Sequence, residues 1–345
     1  MDYLPLSPQE ATKRICSALP ARRMRDVLER RCALKGSEKA TLEQIGRIYK
    51  ITRERVRQIE RDAMGRAGAP AHLVQADPIF RAVEAKLASL GRLSGAHHLF
   101  SAVAERRHHP HLHFLLTLHP AFVFMPENKE FMDRWTTDKD TAVLAEQVVK
   151  HTVAALEAKG QPVSYQELLE LAGDAALKIF GKGIDAAHLE SYLASSRAIV
   201  ANPYRQYGLV SWSTITPRGI KDKAYIALRH EGRPAHFREV ASLIDRGGWS
   251  KKKVHPQTVH NELIKDPRFV LVGRGLYALR EWGYERGTVR DIVSSVLKET
   301  GRPLTRDEIV SLASQKRMVK PQTILLNLQN RNLFKKTEDG KYTLV

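Results

Sequence analysis

The sequence predicts a mainly α protein, an N-terminal helix-turn-helix followed by an array of three or four winged-helix modules, each a set of helices closed by a β-hairpin. Three observations predict it. Apolar residues recur at helical spacing on both sides of a short break near Lys50, a C-terminal segment recurs further upstream, and the copies end in two short apolar runs split by a turn.

From Thr41 to Met64 the chain reads TLEQIGRIYKITRERVRQIERDAM. Leu42, Ile45, Ile48 and Tyr49 follow the helical period, a break falls at Lys50-Ile51, and a second periodic run opens at Thr52, where a helix N-cap belongs. Turning each residue of that run by about 100° puts Val56, Ile59 and Ala63 on one side. Arg53, Glu54, Arg57, Gln58 and Arg61 fall on the other. The apolar side must pack. The polar side carries the groups that read base edges, since Arg pairs bidentately with guanine, Gln with adenine, and Glu accepts from the cytosine amino group. The first turn of such a helix reaches deepest into the major groove. A solvated charged face is the competing reading of the same residues.

The breaker-rich Gly65–Pro70 stretch ends this first module, read as residues 13–68. Downstream, RPAHFREVASLI from Arg233 aligns without gaps on RPLTRDEIVSLA from Arg302, and QPVSYQELLELA from Gln161 is a third copy. Glu167, Glu239 and Glu308 are equivalent, 72 and 69 residues apart. In each copy a helix ends at glycine, a short extended piece follows, and a second helix begins, twice with a capping box, Ser164-x-x-Glu167 or Thr305-x-x-Glu308. A third helix and a hairpin complete the unit, with Gly273-Arg274-Gly275 or Asp339-Gly340 at the turn and Ile199–Trp212 as the counterpart in the earliest clear copy. The modules are read as residues 141–212, 216–284 and 286–345, with seams at Thr136–Asp140, Ser213–Gly219 and Glu285–Thr288. A fainter, degenerate copy is read at residues 76–135, with a helix at Ile79–Leu90 and a wing-like AFVFMPENKEFMDRW.

Charge separates the function classes. Lys and Arg outnumber Asp and Glu by 56 to 38, a net +18 that calls for a polyanionic partner. Residues 13–66 hold 16 basic and 7 acidic side chains, so half the excess sits in this short stretch. The cysteines, Cys16 and Cys32, make neither a disulfide scaffold nor a zinc spacing, and a reducing cytoplasm is expected. No stretch approaches the ~18 apolar residues of a membrane span, and the N-terminus does not read as a secretion leader.

TLEQIGRIYKITRERVRQIE resembles region 4 of the housekeeping-type bacterial sigma factors, whose helix-turn-helix reads the promoter's minus-35 element. The run T-R-E-R-V-R-Q-I-E is highly specific to that family. Upstream, ARRMRDVLERRCALKG is similar to the helix that precedes the motif, with Val27 and Leu28 as its apolar pair. The resemblance covers residues 13–66. It implies that Arg53, Glu54 and Gln58 read bases and that Arg23, Arg31, Thr52, Arg55 and Arg57 hold the phosphate backbone; Arg61, on the same face, joins them. Two positions depart from the family: Cys32 and Ala33 replace an aromatic and a glycine, and Asp62 replaces a lysine. GRPAHFREVASLI, TVHNELIKDPRF and LVGRGLYAL, within Thr216–Tyr284, resemble the HARE-type winged helix, related to the delta subunit of bacterial RNA polymerase. That implies a DNA-binding or polymerase-associated role.

In the last two copies, Lys251, Lys252 and Lys253, then Lys316, Arg317 and Lys320, precede the third helix, and with Arg274, Arg331, Lys335 and Lys336 they are candidate phosphate contacts. The copy with Asp185, His188 and Glu190 on its third helix reads instead as a protein-contact or spacer module. Seven of the fourteen histidines lie between His97 and His119, without cysteine or carboxylate company, and are read as a solvated interhelical loop with no metal. Trp212, Tyr277 and Trp282 are read as caps on a core. Phosphate loop, nucleophile elbow and zinc-protease motifs are missing, and neither catalytic residues nor a cofactor is expected. The expected partners are double-stranded DNA and RNA polymerase core. Without an aromatic-rich, promoter-melting segment the chain is not expected to act as a complete sigma factor, and a delta-like polymerase accessory acting by protein contact is the alternative class.

Overall fold

The structure is a computed structural model that describes residues 4–36, 38–249, 252–284, 287–316 and 319–345. Lys251 and Arg317, and the start of the expected seam at Glu285, lie outside the described residues. The chain divides into two compact units, one ending at Val200 and taking in Tyr207–Val210, the other made of Ala201–Gln206 and Ser211–Val345.

The first unit opens with four helices, α1 (Pro8–Ser17), α2 (Arg22–Arg31), α3 (Leu42–Tyr49) and α4 (Arg53–Ala67). Thr41 and Gln44 close a reciprocal capping box at the start of α3, and the Thr52 hydroxyl accepts from the Arg55 N–H at 3.2 Å to start α4. Between them Lys50 takes the left-handed conformation, φ 52°, and the Ile51 N–H bonds the Gly46 carbonyl at 3.0 Å. A Cβ on Gly46 would sit 2.8 Å from the Ile51 oxygen, so the tight turn requires glycine there.

The chain continues through α5 (Pro70–Leu73), α6 (Asp77–Ser89), β1 (Leu93–Gly95), α7 (Ala96–Val103), α8 (His109–Leu118), β2 (Val123–Met125) and β3 (Arg134–Thr136). Packing does not stop at the expected joint near Gly65–Pro70. Leu28, Ala63 and Ala67 share one buried core with Ile79, Phe80, Leu112, Leu115 and Trp135. The histidine tract is a correction. His97 and His98 lie on α7 and His109, His111 and His113 on α8, with His111 only 7 % exposed; apolar positions interleave with the imidazoles, so the helices bury part of the tract. Among the described residues no group of three His, Cys, Asp or Glu is placed to hold a metal ion.

The unit ends with α9 (Lys139–Lys159), α10 (Tyr165–Phe180), α11 (Ala186–Leu193), β4 (Ile199–Ala201) and β5 (Tyr207–Leu209). The expected seam at Thr136–Asp140 is closely tied: the Thr136 hydroxyl donates to the Arg92 carbonyl at 2.7 Å, and buried Arg134 donates from Nε to Glu146 of α9 at 2.9 Å. Ser191 and Tyr192 of α11 donate to the carbonyls of Leu93 and Gly91. The last two contacts span 98 and 101 residues, beyond the reach of local periodicity.

The second unit runs α12 (Ile220–Glu231), β6 (Ala235–His236), α13 (Phe237–Arg246), α14 (Pro256–Lys265), β7 (Phe269–Gly273), β8 (Leu276–Leu279), then α15 (Val289–Thr300), α16 (Arg306–Lys316), α17 (Pro321–Leu328), β9 (Phe334–Lys336) and β10 (Tyr342–Leu344). One pairing rule recurs along the chain. The short extended piece before the second helix pairs antiparallel with the second strand of the closing hairpin: Leu93 with Thr136, Val163 with Tyr207, Ala235 with Tyr277, and Leu304 with Tyr342. The stretch from α6 to β3 therefore has the same element order and strand pairing as the three segments downstream. Among the described residues no helix is long and apolar enough to cross a membrane.

Candidate nucleic-acid interface

The inner side of α4 is set by a small core of its own. Val27 of α2, Ile45 of α3, and Val56 and Ile59 of α4 are buried against one another, with Leu42, Tyr49 and Ile51 at the margin. Ile48, periodic with that set, is 54 % exposed, because α3 is covered along a narrower stripe than its apolar residues span. Ala63 and Ala67, further along α4, enter the larger core with Leu28. Helix α2 thus enters both cores, through Val27 and Leu28.

The outer side of α4 is left to solvent. Thr52, Arg53, Glu54, Arg55, Arg57, Gln58 and Arg61 are all exposed, and they lie on the first two and a half turns of one helix. Two pairs order this face. Arg57 donates to Glu54 from Nε at 2.8 Å and from Nη2 at 2.6 Å, and Arg55 donates to the Gln58 Oε1 at 3.0 Å. The Arg57 guanidinium holds the Glu54 carboxyl below the usual carboxylate range, so Glu54 is anionic. The side chains of Arg53 and Arg61 make no hydrogen bond or ion pair among the described residues. Chemically this is a row of forked donors with one acceptor-only carboxylate and one amide, presented on a convex cylinder narrow enough for a DNA major groove.

Helix α2 supplies the flank. Arg23 is exposed and its guanidinium lies 4.9 Å from the centre of the Tyr49 ring, whose hydroxyl donates to Asp26 at 2.7 Å. Burial works to raise the Asp26 carboxyl, but the hydrogen bonds from Arg30 and Tyr49 outweigh it and hold it low. Arg31, expected at the phosphate backbone, is differently placed: Nε donates to Glu60 at 3.0 Å and Nη1 to the Ala40 carbonyl at 2.7 Å. Its guanidinium ties α2 to α4. Lys50 is exposed in the turn directly before Thr52 and is missing from the sequence-derived set, although a cation between the two helices of the motif was a visible signal.

Residues 18–66 match the family model for Sigma-70, region 4. Region 4 is a helix-turn-helix module that binds DNA and contacts RNA polymerase in transcription initiation, and it is not a catalytic domain. The match covers α2, α3 and nearly all of α4, the helices that shape the exposed face.

The remaining expected contacts lie in the second compact unit. Lys252 and Lys253 are exposed before α14, Arg274 is exposed at the β7–β8 turn, and Lys320 is exposed directly before α17. Lys316 is not displayed in this way. Its ammonium is held by both oxygens of Glu299 at 2.6 and 2.7 Å and its side chain is only 21 % exposed, because the last turn of α16 crosses α15 there.

Proposed function

We propose that this protein is a sequence-specific, DNA-binding regulator of transcription that reads a promoter-like element with α4 and docks on RNA polymerase, without being a complete sigma factor. The observation that carries the reading is the division of α4, with Val56, Ile59 and Ala63 buried while Arg53, Glu54 and Gln58 stand exposed in its first two turns. Those three meet base edges. Arg23, Thr52, Arg55, Arg57 and Arg61 meet phosphates, and Arg31 holds α2 on α4 so that the set keeps its spacing.

The four helix-and-hairpin segments are read as winged helices, the one at 216–284 as HARE-type. Their shared strand pairing supports that reading. Lys252, Lys253, Arg274, Lys320, Arg331, Lys335 and Lys336 add backbone contacts, and tethering several weak modules raises avidity without a single tight site. Selection of bound duplexes from a random pool, followed by titration of the selected and a scrambled duplex at one salt concentration, tests the proposal. Equal affinity for the two would overturn it.

A second reading, a delta-like polymerase accessory acting by protein contact, is favoured by one feature of the second unit. Ile264, Leu271 and Leu326 are 58, 43 and 65 % exposed there, an apolar display with no use against phosphates. If Arg53→Ala and Gln58→Ala leave DNA affinity unchanged while polymerase still co-purifies with the protein, this second reading stands instead.

A further inference from the structure

A cavity of about 370 Å³ opens between α1, α2 and α8, away from the outer face of α4. Its lining includes Lys13 and Cys16 of α1, Arg25 and Glu29 of α2, Lys35 beyond α2, and His111 of α8. Three cations face one carboxylate. That carboxylate, Glu29, is already matched by the Lys35 ammonium at 2.7 Å, which leaves Lys13 and Arg25 as formal surplus.

Arg25 stands apart from its neighbours on the helix. Arg30 has Asp26 at 2.6 Å and Arg31 has Glu60 at 3.0 Å, whereas the buried Nε of Arg25 has no acceptor among the described residues. His111 is likewise unmatched: the residue is 7 % exposed and its buried Nδ1 has no partner among the described residues. Buried polar groups without partners cost free energy, and a native fold that keeps two beside one cavity needs a reason for them.

We propose that this cavity binds a small oxyanion, a phosphate or a carboxylate, through Arg25 and Lys13, with Lys35 and His111 at its margin. The guanidinium fork matches two oxygens of either group, and the ammonium adds a point charge that suits both. The volume lies at the lower end of small-molecule sites, which fits an ion or a small acid rather than a dinucleotide. An occupant would also be felt in α4, because α2 carries Val27 into the core of Val56 and Ile59 and bonds Glu60 through Arg31. The site itself stands whether or not α4 binds DNA.

Calorimetric titration of the full chain with inorganic phosphate, and separately with succinate, each against sodium chloride at equal ionic strength, tests it. Saturable binding in either arm supports the proposal, and the arm that responds assigns phosphate or carboxylate. Arg25→Gln and Lys13→Gln should each weaken that binding at least about tenfold, while Arg53→Gln and Arg61→Gln leave it unchanged. Lys13 is exposed, so Lys13→Gln decides the matter if circular dichroism shows Arg25→Gln to be misfolded. Heat no larger than with chloride, binding that survives both cavity substitutions, or binding lost in Arg53→Gln would each overturn it.

Discussion

Arg57 grips Glu54 with two hydrogen bonds along the outer edge of α4, so a residue expected on phosphate and one expected on a base are partners in the unbound protein. Both are exposed, and the pair adds little to stability. On the proposed reading its importance is for recognition. Glu54→Ala releases the guanidinium and removes an anion from the face proposed to meet DNA. It should tighten binding to random duplex while lowering discrimination at one base pair by about 1–3 kcal/mol. Fluorescence anisotropy on selected and scrambled duplexes reads both effects, and weaker binding to both alike would count against the assignment.

Arg57→Ala should act in the opposite way to Arg53→Ala and Gln58→Ala. Losing one phosphate contact weakens all duplexes and flattens the slope of log affinity against log salt by about 0.9. Losing a base contact relaxes preference by about 1–3 kcal/mol with a smaller change in slope. Titrations at several salt concentrations separate the two classes.

Arg31 is predicted to be a stability residue first. Its bonds to Glu60 and the Ala40 carbonyl join segments 29 and 9 residues away, and Arg31→Ala should cost about 1–2 kcal/mol in urea unfolding. A pure phosphate contact would leave the urea midpoint unchanged.

Gly46→Ala places a methyl carbon 2.8 Å from the Ile51 carbonyl oxygen, a backbone atom that cannot move without opening the turn. The expected cost is about 1–3 kcal/mol, with DNA binding reduced because Thr52 and α4 shift together. Thermal melting and anisotropy on the same sample check it.

The capping carboxylates predict an acid dependence. The Ser164 backbone N–H with the Lys159 ammonium, and the Thr305 backbone N–H with the Arg302 guanidinium, hold Glu167 and Glu308 at about 2, against an ordinary 4.5. A depressed carboxylate contributes stability above its unfolded value and loses it as pH falls through the folded one, here between about 4.5 and about 2. The gap in urea midpoint between wild type and the Glu167→Ala, Glu308→Ala double variant should be full at neutral pH and close across that window. A gap that holds constant down to pH 2 would show that the carboxylates do not act through their charge.

What the sequence determined by itself is local. The two faces of α4 and the caps at Thr52, Ser164 and Thr305 follow from spacings of a few residues, and the recurrence of helix and hairpin from comparing such short segments with one another. A helix turns by the same angle wherever it lies, and a capping box closes within three residues.

What only the tertiary structure decided depends on residues far apart in the chain. The burial of His111 on α8, the shared core of Leu28 with Phe80 and Leu112, the capture of Arg31 by Glu60 and of Lys316 by Glu299, and the exposure of Ile48 each rest on which surfaces meet. A side chain's intrinsic charge and length say what it can bond, but the partner that reaches it first is chosen by packing. Arg31 and Arg57 therefore look alike in the sequence, yet one holds the module together while the other is left to face outward.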